Sequence, residues 1–205
     1  MATYIGLTNR IIGDLPRSET SITDIVQTHL QAAIRYYEAQ RFYFNEGRVS
    51  LTISTSAAYY NIPADFLKPD FISVVVNGTR YEIEPKTFQE IEYMDLGTET
   101  ADPPAFYCVY GQQFRFYPKP QADRVAEVFY QKKLSTLSST ADSNAWTTDA
   151  EDLLYARTLK TLSSVRYRDA DAAGAAAGME QESLDRLIDK TEGMSGGGSL
   201  RADYL

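Results

Sequence analysis

The sequence predicts an α+β protein. Both ends of the chain build a helical body, an antiparallel β-rich subdomain is inserted between them, and a flexible tail follows. Two changes of hydrophobic period carry this reading. Apolar residues recur every three or four positions up to Gly47, alternate with polar ones from Arg48 to Gln131, and return to helical spacing from Thr148. A third observation sets the end: Met194-Ser195-Gly196-Gly197-Gly198-Ser199 is a flexible linker by composition. The expected divisions are 1–47 with 132–193 for the helical body, 48–131 for the insertion and 194–205 for the tail.

Tyr4, Leu7, Ile11 and Leu15 share one helical face, so residues 4–15 read as a short helix that Pro16 ends. Ser21, with Asp24 three residues on, is a cap for the next helix. Ile22, Ile25, Val26, His29, Ala33, Ile34 and Tyr37 form its apolar stripe. Gly47 is its expected stop, after the aromatic run Phe42-Tyr43-Phe44.

Val49, Leu51 and Ile53 alternate with Ser50, Thr52 and Ser54, the pattern of a half-exposed strand. Phe71–Val76 and Thr79–Glu84 flank Asn77-Gly78, the strongest short-range hairpin signal. Thr87–Leu96 reads as a short amphipathic helix, and Asp102-Pro103-Pro104 breaks what precedes it. Ala105–Tyr110, Gln113–Tyr117 and Arg124–Gln131 are further strands, with turns at Gly111-Gln112 and Pro118–Asp123. These spacings predict an antiparallel meander of about six strands. Thr148 with Glu151 matches a capping box for a helix that carries Leu154, Leu159, Leu162 and Val165 to about Arg168. Ala170–Lys190 is a second helix, with Met179, Leu184, Leu187 and Ile188 as packing residues. Its Gly174 and Gly178 each cost about 1 kcal/mol relative to alanine. They predict either a break or close approach of a neighbouring helix.

Composition narrows the chemistry. At 205 residues the chain suits one domain, or one with a sizeable insertion. With 43% hydrophobic and 23% charged residues it can form a core without disulfides. The single cysteine, Cys108, excludes an internal disulfide and a thiolate metal cluster, and within Phe106–Tyr110 it reads as a small buried filler. No run approaches the roughly 18 apolar residues of a membrane span, and no basic-then-apolar leader is present, so no membrane partner is expected. A net charge of −8 argues against nucleic-acid binding across the whole surface. A wall that repels phosphates nevertheless lets DNA slide past without sticking.

The lone histidine, His29, lies within an apolar stripe and reads as partly buried and structural. No nucleophile, phosphate-loop or zinc motif accompanies it. Glu82, Glu84, Glu90, Glu92, Asp95, Glu99 and Asp102 form a carboxylate cluster. Such groups can hydrolyse glycosides or hold Mg²⁺ or Ca²⁺. Lacking a calcium-loop pattern, these read as a solvated face. The fifteen tyrosines, among them Tyr59, Tyr60, Tyr107, Tyr110, Tyr117 and Tyr130, suit core packing first, an interface second and ligand stacking third. Arg35, Arg41 and Arg48 are diluted by Glu38 and Glu46 into an ordinary charged face. No catalytic residue, cofactor or metal is expected.

One ordered set of segments points to a family. Residues 114–162 hold two alternating strands around Pro118-Lys119-Pro120, then a polar loop, then Asn144-Ala145-Trp146 opening a helix with Leu153-Leu154-Tyr155. Ile62-Pro63-Ala64-Asp65-Phe66-Leu67 stands upstream. In this order the chain resembles the head-to-tail adaptor (connector) proteins of tailed bacteriophages, over residues 20–200 or so. The resemblance implies a structural virion protein and not an enzyme. It implies a ring of copies, a dodecamer, at the neck beneath the portal protein, reached from the host cytoplasm. That ring extends the channel for genomic DNA, without sequence-specific binding, and offers a surface to the next tail component, a nozzle or tail hub.

Trp146 and Leu153-Leu154-Tyr155 would then anchor a body helix, and Ile62–Leu67 would be the turn into the next strand. Leu200, Arg201, Tyr204 and Leu205 would bind the portal. Family members often carry glycine where this chain has Ala156, and the 4–15 helix matches poorly. Two other readings stay open: another neck or tail-completion protein, and a carbohydrate-binding or hydrolytic module using the β insertion.

Overall fold

The computed structural model describes residues 3–16, 21–95, 97, 99–139 and 141–194. The architecture is α+β. In chain order the helices are α1 Tyr4–Gly13, α2 Ile22–Tyr37, α3 Phe88–Met94, α4 Ala145–Thr148, α5 Glu151–Leu162 and α6 Ala170–Met194. The strands are β1 Glu46–Ile53, β2 Tyr59–Asn61, β3 Phe66–Val76, β4 Thr79–Glu82, β5 Glu84–Pro85, β6 Thr100–Ala101, β7 Phe106–Tyr110, β8 Gln113–Tyr117, β9 Lys119–Pro120 and β10 Arg124–Lys132. The chain divides into two compact units, Met1–Asn45 with Leu134–Leu205, and Glu46–Lys133.

In the helical unit, α1 buries Tyr4, Leu7 and Ile11, and the Thr3 hydroxyl accepts from the Gly6 N–H as its cap. Along α2 the buried line runs Ile22, Val26, Leu30, Ala33, Ile34 and Tyr37. Leu30 therefore joins the predicted stripe, while His29 beside it is half-buried. Ser21 occupies the cap position of α2 but makes no side-chain cap bond. The helix stops at Tyr37, ten residues before the predicted Gly47. Asn45 organises the turn that follows: its Oδ1 accepts from the Phe42 N–H at 2.8 Å and its Nδ2 donates to the Gln40 carbonyl at 2.8 Å.

Gly47 lies inside β1, and its reason is packing. A Cβ there would sit 2.9 Å from the Tyr130 ring, on the residue paired with Gly47 across the sheet. The Tyr130 hydroxyl is tied to Asp65 at 3.0 Å, so the ring is not free to swing away. Gly47→Ala is expected to destabilise the protein by about 2 kcal/mol through overpacking. Guanidinium titration of the full chain measures this, and an unchanged midpoint would refute the close approach.

The cap predicted at Thr148 is displaced. Asn144 Oδ1 accepts from the Trp146 N–H at 2.8 Å, and Thr147 Oγ1 accepts from the Asn144 N–H at 3.1 Å. Thr148 is already helical and turns its hydroxyl back to the Asn144 carbonyl at 3.2 Å, so it cannot cap the next helix. α5 then buries Leu153, Leu154, Tyr155, Ala156 and Leu162. A π turn over Ser163–Tyr167 ends on Arg168 in the left-handed region (φ 53°), close to the expected helix end.

α6 runs unbroken for 25 residues, and no atom lies within 4 Å of a Cβ built at Gly174 or Gly178. Neither a break nor a close approach among the described residues explains them. Met179 is 44% exposed and is not a packing residue. The adjacent Glu180 is buried instead, on the line of Ala176, Leu187 and Thr191.

The β unit differs from a meander. One four-stranded sheet has the order β1-β10-β3-β4 and another the order β2-β8-β7-β5, while β6 pairs with β9. β5–β7 and β6–β9 are parallel pairs. The hairpins at Asn77-Gly78 and Gly111-Gln112 form as predicted, with positive φ at all four residues. Turn chemistry specifies such local pairs, but nothing local specifies that β10 inserts between β1 and β3. Ile53, Ile72, Val74, Ala126, Val128 and Tyr130 meet Tyr107, Phe114 and Phe116 in one core. α3 lies over β7, where Ile91 packs with Cys108 and Tyr117. Its cap is a Thr87–Glu90 capping box.

Candidate interface surfaces

Polar clasps tie the elements of the helical unit to one another. Glu180 is 6% exposed, yet its carboxylate accepts from the Tyr37 hydroxyl at 2.5 Å, Arg157 at 3.0 Å and Lys160 at 2.7 Å, tying α2, α5 and α6 together. Burial alone would raise the Glu180 pKa. The bonds from Lys160, Tyr37 and Arg157 outweigh it and hold the carboxyl below its ordinary range. Burial first, and then Glu180, push the Tyr37 hydroxyl upward, so the shared proton stays on tyrosine. Arg157 also lies 3.9 Å over the Tyr36 ring, which is 58% exposed.

A second clasp joins Tyr43, Asp149 and Lys190. The Tyr43 hydroxyl donates to Asp149, and Lys190 donates to the Tyr43 oxygen at 2.6 Å. A third sets Arg10 against Glu151 and Asp152 and over the Tyr155 ring, whose hydroxyl donates to Asp14 at 2.7 Å. Burial, followed by Asp14, pushes the Tyr155 hydroxyl up to about 12.

In the β unit, Arg115 organises a surface. It is 5% exposed, pairs with Asp95 at 2.5 Å and with Glu92, and lies over the rings of Tyr59 and Phe88. Phe88 stacks on Tyr110 with centroids 4.1 Å apart and an interplanar angle of 15°. Tyr59 and Tyr110 keep large exposed faces. The carboxylate cluster is thus only partly the solvated face expected. Glu92 and Asp95 hold Arg115, Glu99 accepts from the Tyr117 hydroxyl, and Asp102 pairs with Arg124. Glu90 serves the α3 cap, and no group of these acids among the described residues is arranged to hold a metal.

Beside this surface the sheet forks. Asn61 still meets Gln113, whose Nε2 donates to Asn61 Oδ1 at 3.0 Å, and the Ile62 N–H reaches the Gln112 carbonyl only at 3.4 Å. Beyond that point the 62–67 turn, closed by the Phe66 N–H on the Pro63 carbonyl at 3.1 Å, leaves the β7–β8 hairpin. A groove of about 670 Å³ opens between them.

The residues singled out from the sequence take distinct places. Trp146, Leu153, Leu154 and Tyr155 are buried in the helical core. Ile62–Leu67 is the turn into β3 and one wall of the groove. Cys108 is buried, and burial raises its thiol pKa. Burial first, and then the Arg166 charge, lower the pKa of half-buried His29. Leu200, Arg201, Tyr204 and Leu205 lie outside the described residues, as does the rest of the tail from 195. Sequence reasoning missed Glu180 and Arg115. A charged residue on the apolar line of α6 was a signal for the first. Arg115 alternates with Phe114 and Phe116 along β8, and nothing local marks it as buried.

The described residues combine helices tied by polar clasps with a β unit that exposes aromatic side chains such as Tyr59, Tyr93 and Tyr110. The chain matches the family described as SU10 adaptor protein over residues 2–202 and belongs to it, a family of phage head-to-tail adaptors. A search of curated proteins finds no match. No helix among the described residues is long and apolar enough to cross a membrane.

Proposed function

We propose that the protein assembles as a ring beneath the portal at the virion neck, extends the channel for genomic DNA, and offers a surface to the next tail component, a nozzle or hub. The family match over residues 2–202 carries this reading, because it spans both units. Three features support it. A net charge of −8 suits a wall past which DNA moves without being held. The exposed rings of Tyr36 and Tyr93, 58% and 88% accessible, suit contacts with other chains. The open positions at Gly174 and Gly178 leave α6 accessible to the helix of a neighbouring copy. No chemistry is assigned to the protein.

The tail is the proposed portal contact, through Leu200, Arg201, Tyr204 and Leu205. Ordering its backbone costs about 1–2 kcal/mol per residue, so one tail binds weakly. Repetition around a ring makes later attachments effectively intramolecular. Truncation after Met194 is expected to leave far-UV circular dichroism unchanged and to lower attachment to purified portal at least tenfold, counted in electron micrographs of the mixture. Undiminished attachment would remove the tail from the reading, and absence of rings from wild-type mixtures would remove the ring.

A further inference from the structure

We infer that copies of this chain join by edge-to-edge strand pairing, with β1 of one copy lying antiparallel beside β4 of the next. β1 and β4 are the two outer strands of the sheet β1-β10-β3-β4. Every pairing inside that sheet is antiparallel, so β1 and β4 run in opposite directions. Two such sheets laid side by side therefore meet as an antiparallel pair, and the same contact can repeat at the far edge of each copy.

The ladder fixes which backbone groups each edge offers. The Ile83 N–H reaches the Ile72 carbonyl at 2.9 Å, so Ile83 and, by alternation, Tyr81 turn their backbone toward β3, while Arg80 and Glu82 turn theirs outward. The same alternation, carried from Ile72 through the pairs Ser73–Glu127 and Val128–Val49, points Val49 and Leu51 toward β10. Arg48, Ser50 and Thr52 then point their N–H and C=O groups away from the sheet. An open edge of this kind is a template for another strand, and proteins ordinarily blunt it. β1 has none of the usual defences. Its eight residues, Glu46–Ile53, keep unbroken register with β10, include no Pro or Lys, and point no charge into the core.

One register satisfies backbone, side-chain face and charge together. Glu82 lies opposite Arg48 of the next copy and Arg80 opposite its Ser50, and each such pair exchanges two N–H···O bonds. Glu82 is exposed, and Arg48, held to Glu127 through its Nε at 2.6 Å, keeps a side chain 63% exposed. On the core side Tyr81, 42% exposed, meets Val49, and Thr79 meets Leu51, so the apolar border of one core covers that of the next. A slip of two residues one way sets Glu82 against Glu46 and Arg80 against Arg48, like charges directly opposite. A slip of two the other way leaves both without a charged partner, and a slip of one turns every side chain to the wrong face. The contact joins two different surfaces, which is the kind that generates rings when its rotation closes. Closure into a ring rests on the proposed function, whereas the pairing of the two edges does not.

Two measurements on the full chain test it, both with Cys108→Ala in place. In this register Val49 and Tyr81 form a non-hydrogen-bonded pair, with Cα atoms about 4.5 Å apart, within disulfide reach. Val49→Cys with Tyr81→Cys is oxidised free at high concentration and on purified portal, then run on a non-reducing gel. A ladder of dimers, trimers and larger species is expected, at least tenfold stronger than from Val49→Cys with Val125→Cys, whose second site is exposed on the outer face of β10. Absence of a ladder under both conditions, or an equal ladder from the second pair, would overturn the inference. Electron micrographs of the same samples separate it from the ring reading: a ladder without rings removes the ring and leaves the pairing, and rings without a ladder do the reverse.

The second measurement places Ser50→Pro in the Val49→Cys, Tyr81→Cys chain. The Ser50 N–H points away from β10, so proline keeps the β1–β10 ladder and removes a donor to the neighbouring copy. The ladder is expected to fall at least tenfold with circular dichroism unchanged. Ser50→Ala, which loses the same hydroxyl bond to Glu127, is expected to keep it. An undiminished ladder from Ser50→Pro, or an equal loss from Ser50→Ala, would overturn the pairing.

Discussion

Trp146→Ala is expected to destabilise the protein by about 4 kcal/mol, the scale for emptying a large aromatic site in a packed core. Trp146 is 1% exposed and meets the edges of Phe42 and Phe44 at 6.0 and 5.2 Å between centroids. It is also the second residue of α4, where its N–H donates to the Asn144 cap, so its loss empties the core beside the turn into α5. Its indole N–H meets no acceptor among the described residues. Trp146→Phe therefore loses volume but no hydrogen bond, and is expected to cost about half as much. With a total stability on the order of 5–15 kcal/mol, the alanine variant should melt about 15 °C lower. Trp146 is the single tryptophan, so the measurement is circular dichroism at 222 nm and not fluorescence. A fall below 1 kcal/mol would show that the aromatic cluster does not hold the helices together.

Glu180→Ala is expected to cost about 3 kcal/mol, since removing one partner strands the charges it held. The lower end of that scale applies because Arg157 and Lys160 keep side-chain exposures of 24% and 38% and regain water. Glu180→Gln preserves shape and should cost less. The clasp also predicts a pH dependence. The Glu180 carboxyl is held below its ordinary value, so its contribution is complete above the unfolded pKa of about 4.3. It is lost as pH falls through the lower native value, where the folded state must take up a proton it binds poorly. Wild-type stability should therefore fall more steeply below about pH 4.5 than that of Glu180→Gln. Parallel curves for the two proteins would exclude the clasp as a source of stability.

Much of this was legible in the order of residues. The alternation Val49, Leu51, Ile53 gave β1, Asn77-Gly78 gave the β3–β4 turn, and the spacing from Ile22 to Tyr37 gave α2, because each is a property of neighbours along the chain. The adaptor family was legible in the same way, through the order of short segments from Ile62 to Tyr155. Signals with two physical causes were misread. A glycine stops helices and also admits an aromatic ring, and Gly47 does the second. A threonine three residues before glutamate caps only if its backbone lies outside a helix, and Thr148 is already inside α4.

The sequence by itself determined the α+β class, most helices and hairpins, the buried anchors Trp146 and Leu153–Tyr155, and the family. Periodicity, turn chemistry and segment order are all short-range properties that survive in one dimension. Only the tertiary structure decided that β10 lies between β1 and β3, that Glu180 gathers Tyr37, Arg157 and Lys160, and that Arg115 is sealed between carboxylates and rings. It alone opened the fork between residues 62–67 and the β7–β8 hairpin. Each of these joins residues tens of positions apart. Local pattern can place a charge such as Glu180 on a buried line, but which distant groups share its space is decided only when the chain folds.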